Sequence, residues 1–439
     1  MSKVKVEGLG DTFDSLGDKT ISELGFTILY VDLNSCFATT EQQARPKLRG
    51  KPVGIVNRIA EHSTLIAASI EAKALGVKVG MRVEEAKAIV PNIIFAETEP
   101  SKYIYVHNKL KDILKSYSPN VVMKSIDEGL VDLSEAGKDV RNKTPRELAL
   151  EIKEHLKDEV GCYMKCNVGF SYNRFLAKLA GELHKPDGMD CITHDNIREV
   201  FSHLKLTDLP GINKKVEKRL KTYSINTPLE LLDAEEETLR VQVMGSIEGT
   251  KWYFRLRGTE VDERDESTKT IGRQFVLPPN PKIDDVKMRL AHLAEDVGYR
   301  LRSQKLYARG IYVFATFNMS ERSFYMHKNI LKNETFSTDS DIIEYSKNLF
   351  NEILKEAKSD NPRIIGVTLY KLDDTETKQL SFGHEKQEKS KEVAKVIDEI
   401  NQRFGSRTVH SAYTLKTNED MHTKIPFGST RYLDKNIGK

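Results

Sequence analysis

Asp32, Asp127 and Glu128 are the residues whose types and settings best suit chemistry in this chain. Asp32 ends an apolar, β-rich run, Ile28-Leu29-Tyr30-Val31, of the kind that forms a buried central strand. A lone ionised carboxylate buried there costs several kcal/mol unless a cation or donor compensates it. Such a residue is a turn-former, a cap or a metal ligand. Asp127 and Glu128 lie side by side near the turn of a second stretch, Val121 to Leu133, which reads as a β-hairpin. Adjacent strand residues point to opposite faces, so both carboxylates reach one point only where the chain twists or turns. Taken alone, the pair reads as an acidic hairpin tip. Combined with Asp32 it gives hard oxygen ligands on neighbouring strands, which suit Mg²⁺ because that ion prefers a few carboxylates, water and substrate phosphates. Two such ions about 4 Å apart activate a hydroxyl and stabilise a leaving pyrophosphate in phosphoryl transfer.

The elements that must hold these residues follow from the rest of the sequence. At 439 residues the chain exceeds what one core supports and is expected to form three or four domains. Its 68 Lys and Arg against 65 Asp and Glu leave a formal charge of only +3, so any surface for nucleic acid must be local. The cysteines Cys36, Cys162, Cys166 and Cys191 form no C-x-x-C pair, which points to reduced thiols in a cytosolic protein. No run reads as a membrane span or a signal peptide, and no internal repeat is seen. A cytoplasmic, nucleoid-associated protein is expected.

Residues 1–25 are polar and Gly-rich and read as a weakly ordered extension. After the Asp32 strand, Gly50 to Val56 reads as another short strand with a turn before it. Thr64 to Leu75 then reads as a helix with Ile66, Ile70 and Ala74 on one stripe, stopped by Gly76. Further helices are expected at Val83 to Val90, Tyr103 to Ser116 and Glu147 to Glu159, with a strand at Tyr163 to Phe170. The next helix carries Arg174 and Lys178, which share a face. They are a solvated pair, or they reach a nucleotide's phosphates from beside the acidic centre. Leu209-Pro210-Gly211-Ile212-Asn213-Lys214-Lys215 reads as a helix-hairpin-helix turn. Such a turn can aim backbone N–H groups at a DNA phosphate, with lysines just behind; a plain helix–helix connection is the rival. Beyond a charged linker at 259–270 lies a β-α-β-β-α-β pattern whose helices cover one face of a sheet. Arg273, Arg302, Arg309 and Lys328 are expected to place positive charge near the other face.

These residues resemble the Y-family translesion DNA polymerases, and among them the polymerase subunit of the bacterial SOS mutagenesis enzyme, polymerase V. Four stretches carry the likeness in family order: Val31-Asp32 through Phe37-Ala38 and Glu41; Glu71-Ala72-Lys73-Ala74-Leu75-Gly76-Val77-Lys78; Ser125-Ile126-Asp127-Glu128; and Gly169-Phe170-Ser171 through Ala177-Lys178-Leu179-Ala180. The resemblance covers roughly residues 26–372. It implies an α+β multidomain, right-hand polymerase: a palm at 26–44 and 99–204, fingers at 45–98, a helix-hairpin-helix thumb at 205–258, a β-α-β-β-α-β little finger at 271–374 and a tail at 375–439.

By the same resemblance, Asp32, Asp127, Glu128 and the Leu33 carbonyl match metal ligands for two Mg²⁺ ions, with Mn²⁺ as a substitute. Phe37 matches the aromatic steric gate, and Lys73 and Lys178 match contacts to the incoming triphosphate. Gly211, Asn213, Lys214, Lys215 and Arg273 are the expected DNA contacts. Primer–template DNA and a dNTP are the implied partners, with no membrane; an accessory mutagenesis subunit is a further candidate. Gln379, Leu380 and Phe382 imperfectly match the peptide by which bacterial polymerases dock on the sliding clamp. The chain departs from the family at Asn34, where a second Asp is common, at Ile70 and Ala67, where many relatives carry Tyr and Thr, and at Asn213, which replaces a turn Gly. Asn tolerates positive φ better than other non-Gly residues, so the turn is expected to survive. The implied activity is Mg²⁺-dependent, low-fidelity, template-directed synthesis past damaged bases. The alternatives are a non-catalytic DNA-binding scaffold relative, which typically loses the acidic residues, and a two-metal nuclease, which explains neither Phe37 nor the hairpin.

Overall fold

Ile28 to Leu33 does form the buried strand that its β-branched and apolar residues predict, with Leu29 and Val31 fully excluded from solvent. The computed structural model describes residue 6 and residues 8–262, 268–318, 323–377, 384–405, 407–417 and 421. The chain divides into two units, residues 1–264 and 265–424.

In the first unit, β1 (Ile28–Leu33) is followed by β2 (Val53–Val56), β3 (Leu65–Ala68), β4 (Ile94–Glu97), β5 (Val121–Met123), β6 (Glu128–Asp132), β7 (Cys166–Ser171) and β8 (Met189–Cys191). They make a five-stranded sheet in the order β5-β6-β1-β7-β8 and a three-stranded sheet in the order β3-β2-β4. β1 is central, antiparallel to both β6 and β7. Alternation along it puts Ile28, Tyr30 and Asp32 on one face. There Ile28 and Tyr30 cluster with Leu130 and with Ala177 of the helix Arg174–Leu183.

Two sequence expectations fail in this unit. Residues 64–75 are not one helix: Leu65–Ala68 pairs antiparallel with β2, and only Ile70–Ala74 is helical. Ser69 marks the change, its Oγ accepting from the Ala72 N–H at 3.2 Å as an N-cap. Pairing with β2 buries Leu65 and Ala68, and that tertiary gain overrides the apolar spacing. Nor are residues 8–25 weakly ordered. Phe13, Leu16 and Ile21 are buried, and Phe13 meets Phe170 edge-on at 6.3 Å. Thr12 ties the segment to the sheet edge, donating to Asp190 at 3.1 Å and accepting from the Cys191 N–H at 2.9 Å.

Residues 205–258 are helical, with Leu220, Leu231, Leu239 and Trp252 sharing a core with Leu176 and Leu179.

The second unit holds β9 (Thr270–Val276), β10 (Tyr307–Asn318), β11 (Ser323–Phe336) and β12 (Pro362–Asp373), in the order β11-β10-β12-β9. The helices Ile283–Ser303 and Asp339–Ala357 cover one face, and Val286, Leu290, Leu293, Val297 and Leu301 are fully buried there, as their spacing predicts. Of the charges expected near the other face, Arg273, Arg302 and Lys328 are turned to the helix side. Arg273 shares its face with buried Ile271 and pairs with Asp296 of the covering helix. Arg302 pairs with Asp339 and Asp398 at 2.7 Å each, and Lys328 pairs with Glu356. Each of these three basic side chains finds a carboxylate on the helix side, which a linear reading of charge does not see. The face away from the helices carries rings instead, Tyr312, Phe314, Tyr325 and His327. A helix at His384–Phe404 follows. No helix among the described residues is long and apolar enough to cross a membrane.

Candidate active site

Antiparallel pairing of β1 with β6 sets Asp32 directly opposite Glu128. Opposed residues have Cβ atoms about 4.5–5.5 Å apart. The Leu33 N–H donates to the Asp127 carbonyl at 2.9 Å, which draws the hairpin turn to the end of β1. The three predicted carboxylates therefore meet at one corner of the central sheet. Ser125 fixes Asp127 by donating to its Oδ1 at 2.6 Å.

Cationic side chains answer these carboxylates. Lys178 donates to Glu128 Oε2 at 2.7 Å, and the Tyr30 hydroxyl donates to the same oxygen at 2.5 Å. Lys185 pairs with Asp32 and, at 2.6 Å, with Glu182. Burial pushes the Asp32 carboxyl up to about 7, against the pull of Lys185 and with the neighbouring Asp127 charge adding to the rise. Burial also raises Asp127, opposed by the Ser125 hydroxyl. At Glu128 burial acts in the same direction, but Lys178, the Tyr30 hydroxyl and Lys185 together outweigh it and hold the carboxyl below its ordinary value. A corner where carboxylates crowd until one resists ionisation is one that additional positive charge stabilises. Among the described residues no three His, Cys, Asp or Glu side chains already form a closed ligand set, and the lysines occupy carboxylate oxygens that a divalent ion would take. By donor type, Asp32, Asp127 and Glu128 suit a hard divalent cation.

Lys185 is the residue that sequence reasoning missed. Its signal is the Pro186-Asp187-Gly188 turn directly behind it, which returns the chain from the helix Arg174–Leu183 to β8. Asn34 helps hold that turn: its Nδ2 donates to Asn167 Oδ1 at 2.8 Å and its Oδ1 accepts from the Asp187 N–H at 2.7 Å. A carboxylate can accept but not donate, so Asp at this position would lose one of the two bonds.

Phe37 lies in the first turn of the helix Cys36–Ala44, just past Ser35, whose φ of 51° turns the chain off the strand. The ring is 3% exposed and stacks on Tyr103 at 4.1 Å with 6° between planes. Tyr103 is held in turn by Glu41, which accepts from its hydroxyl at 3.2 Å. Lys73 reaches the same corner, donating to Ser35 Oγ at 2.7 Å. The structure thus gathers Asp32, Asp127, Glu128, Phe37, Lys73 and Lys178, which the sequence scatters over 147 positions from Asp32 to Lys178.

Arg174 does not share the role of its helix neighbour Lys178. It is buried, faces Glu260 at 3.6 Å and donates to the Asp262 carbonyl at 3.2 Å. At the hairpin turn, Gly211 has φ +91° and lies against Trp252, so glycine is required there. Asn213 has φ −93°, not the positive φ expected of it, and its Oδ1 caps the helix Lys214–Thr222 by accepting from Lys215 and Val216 N–H groups at 2.9 and 3.1 Å. Lys214 and Lys215 are exposed. Asn213→Ala is expected to cost about 1 kcal/mol through the lost cap, lowering the melting midpoint by about 2–4 °C; Asn213→Gly should cost much less. Gln379, Leu380 and Phe382 lie outside the described residues.

Two family models match the chain: the impB/mucB/samB family over residues 31–182 and its C-terminal domain over residues 268–382. The first contains every residue of the acidic corner except Tyr30 and Lys185. The chain belongs to the Y-family DNA polymerases. Among its relatives, DNA polymerase IV of Pelotomaculum thermopropionicum is 30% identical over 88% of this chain and 95% of its own length. DNA polymerase IV 1 of Bacillus subtilis is 27% identical over 93% and 98%. A solved Y-family chimera of Dbh and Dpo4 superposes with a TM-score of 0.68 at 22% identity, covering 79% of this chain and 99% of its own. The fold is therefore the palm, fingers, thumb and little finger of this family, and the chain is a DNA-directed DNA polymerase acting in translesion synthesis.

Proposed function

We propose that this Y-family polymerase adds dNTPs to a primer at the corner formed by Asp32, Asp127 and Glu128, with Mg²⁺ as its metal and with low fidelity. The observation that supports this most is the registration of Asp32 against Glu128 across β1 and β6, with Lys178 and Lys185 reaching the two carboxylates. In the reaction the primer 3′-hydroxyl attacks the α-phosphate of the dNTP, a P–O bond to the primer forms, and pyrophosphate leaves. Bound Mg²⁺ would lower the pKa of the attacking hydroxyl and neutralise charge on the leaving group. Asp32, Asp127, Glu128 and the Leu33 carbonyl are its proposed ligands. Lys178, Lys185 and Lys73 supply charge for the triphosphate and share the load of the developing negative charge. Phe37, pinned by Tyr103, forms the floor under the sugar.

Gly211 and Asn213 shape a turn from which backbone N–H groups, Lys214 and Lys215 contact the duplex phosphates. The proposed divisions are palm at 26–44 and 99–204, fingers at 45–98, thumb at 205–258 and little finger at 271–374. Ala67 and Ile70 offer the nucleotide fewer polar contacts than Thr and Tyr, in keeping with a tolerant site. Sliding-clamp docking through Gln379, Leu380 and Phe382, which would raise the effective concentration at the primer, and an accessory subunit complete the proposal.

Extension of a labelled primer over damaged and undamaged templates with Mg²⁺ tests this reading. Extension across the lesion is expected. Duplex binding without extension would favour a scaffold relative, and primer shortening a nuclease.

A further inference from the structure

We propose that Tyr30 is a positioning residue for nucleotide addition, holding Glu128 and Lys178 in one fixed arrangement; this rests on the polymerase reading above. Tyr30 lies two residues before Asp32 on the same strand face, diagonal to Glu128 across the β1–β6 pair. Its hydroxyl donates to Glu128 Oε2 at 2.5 Å. Lys178 donates to that same oxygen at 2.7 Å, and its ammonium lies 5.3 Å from the centre of the Tyr30 ring. One buried tyrosine therefore gives Glu128 an O–H donor and gives Lys178 a π-face. Both donors converge on Oε2, so the orientation of the whole carboxylate depends on them.

The packing is built for the ring. Tyr30 is 1% exposed, and a Cβ on Gly181 would come within 2.7 Å of its Cδ1. The helix Arg174–Leu183 is bare at the point where the tyrosine lies against it. A tyrosine serving the core alone needs its ring here and any acceptor for its hydroxyl. This one uses a carboxylate that already has a lysine, on β6 directly opposite Asp32.

Tyr30→Phe separates the two roles, because it keeps the ring, the packing and the π-face and removes one O–H. The single-turnover rate of dNTP addition is expected to fall about tenfold, the scale of a hydrogen bond to a charged group. Duplex affinity and melting midpoint should stay at the parent values. A second readout avoids turnover: on a primer ending in a dideoxynucleotide, Mg²⁺-dependent dNTP binding should need more Mg²⁺ in Tyr30→Phe than in the parent. Tyr30→Leu, which also loses the π-face, should lose more rate than Tyr30→Phe. Parent-like rate and Mg²⁺ titration in Tyr30→Phe overturn the proposal, as does a rate loss that disappears when the assay is cooled below a lowered melting midpoint. Failure of the parent protein itself to extend the primer would instead overturn the polymerase reading.

Discussion

Asp127→Ala and Glu128→Ala are each expected to abolish primer extension while leaving duplex affinity nearly unchanged. Each removes one of the carboxylates that β1–β6 pairing and the hairpin turn bring to the end of the central strand. Charge stabilisation by a metal ion contributes several kcal/mol to the transition state. At 1.36 kcal/mol per tenfold, its loss corresponds to a fall of roughly a thousandfold or more in rate. The duplex contacts proposed at Gly211, Lys214 and Lys215 lie on a different element, the helix Lys214–Thr222 and its preceding turn, and are untouched. Glu128→Ala also leaves Lys178 and the Tyr30 hydroxyl without their shared acceptor, so its melting midpoint should be recorded beside its rate. Near-normal extension by a folded Glu128→Ala protein would remove Glu128 from the ligand set.

Phe37→Ala is expected to relax the choice of deoxyribonucleotides over ribonucleotides. A ring against C2′ leaves no space for a 2′-hydroxyl and offers it no partner. Desolvating an unpaired hydroxyl costs roughly 1–3 kcal/mol, and steric overlap adds to this. The ratio of kcat/KM for dCTP to that for CTP opposite template G should therefore fall by roughly tenfold to a hundredfold or more. Phe37 is also packed, 3% exposed and stacked on Tyr103, so Phe37→Ala opens a cavity and is expected to cost roughly 3–5 kcal/mol of stability. That loss lowers the incorporation of both nucleotides alike and cancels in the ratio. A ratio equal to the parent's, in protein held below its melting midpoint, would leave Phe37 as a core aromatic only.

Part of this corner is legible in the sequence from backbone pattern: a buried strand ends near Asp32 and a hairpin turns near Asp127 and Glu128. Their joint site, and the places of Phe37, Lys73 and Lys178, come from the family resemblance rather than from period. The amphipathic stripe from Val286 to Leu301 was legible from its spacing. What escaped depends on partners distant in sequence. Lys185 reaches Asp32 across 153 positions; the Pro186-Asp187-Gly188 turn marks where the chain turns back but not which carboxylate the lysine meets. The helix expected over 64–75 breaks at Ser69 because β2 offers Leu65–Ala68 a strand partner. Arg273 and Lys328 looked like a basic face until Asp296 and Glu356 on the covering helices accounted for them. Asn213 was expected to serve by tolerating positive φ, and serves by its side-chain oxygen as a cap. Residues 1–25 read as a weakly ordered extension, yet within 8–25 Phe13 packs on Phe170 and Thr12 bonds the edge strand β8.

The most direct test of the central claim is the length of a labelled primer after incubation of the parent protein with primer–template, a single complementary dNTP and Mg²⁺. The account predicts a primer longer by one nucleotide, no product when the Mg²⁺ is chelated, and none with Glu128→Ala. A primer that is shortened, or one left unextended by parent protein that demonstrably binds the duplex, would contradict it.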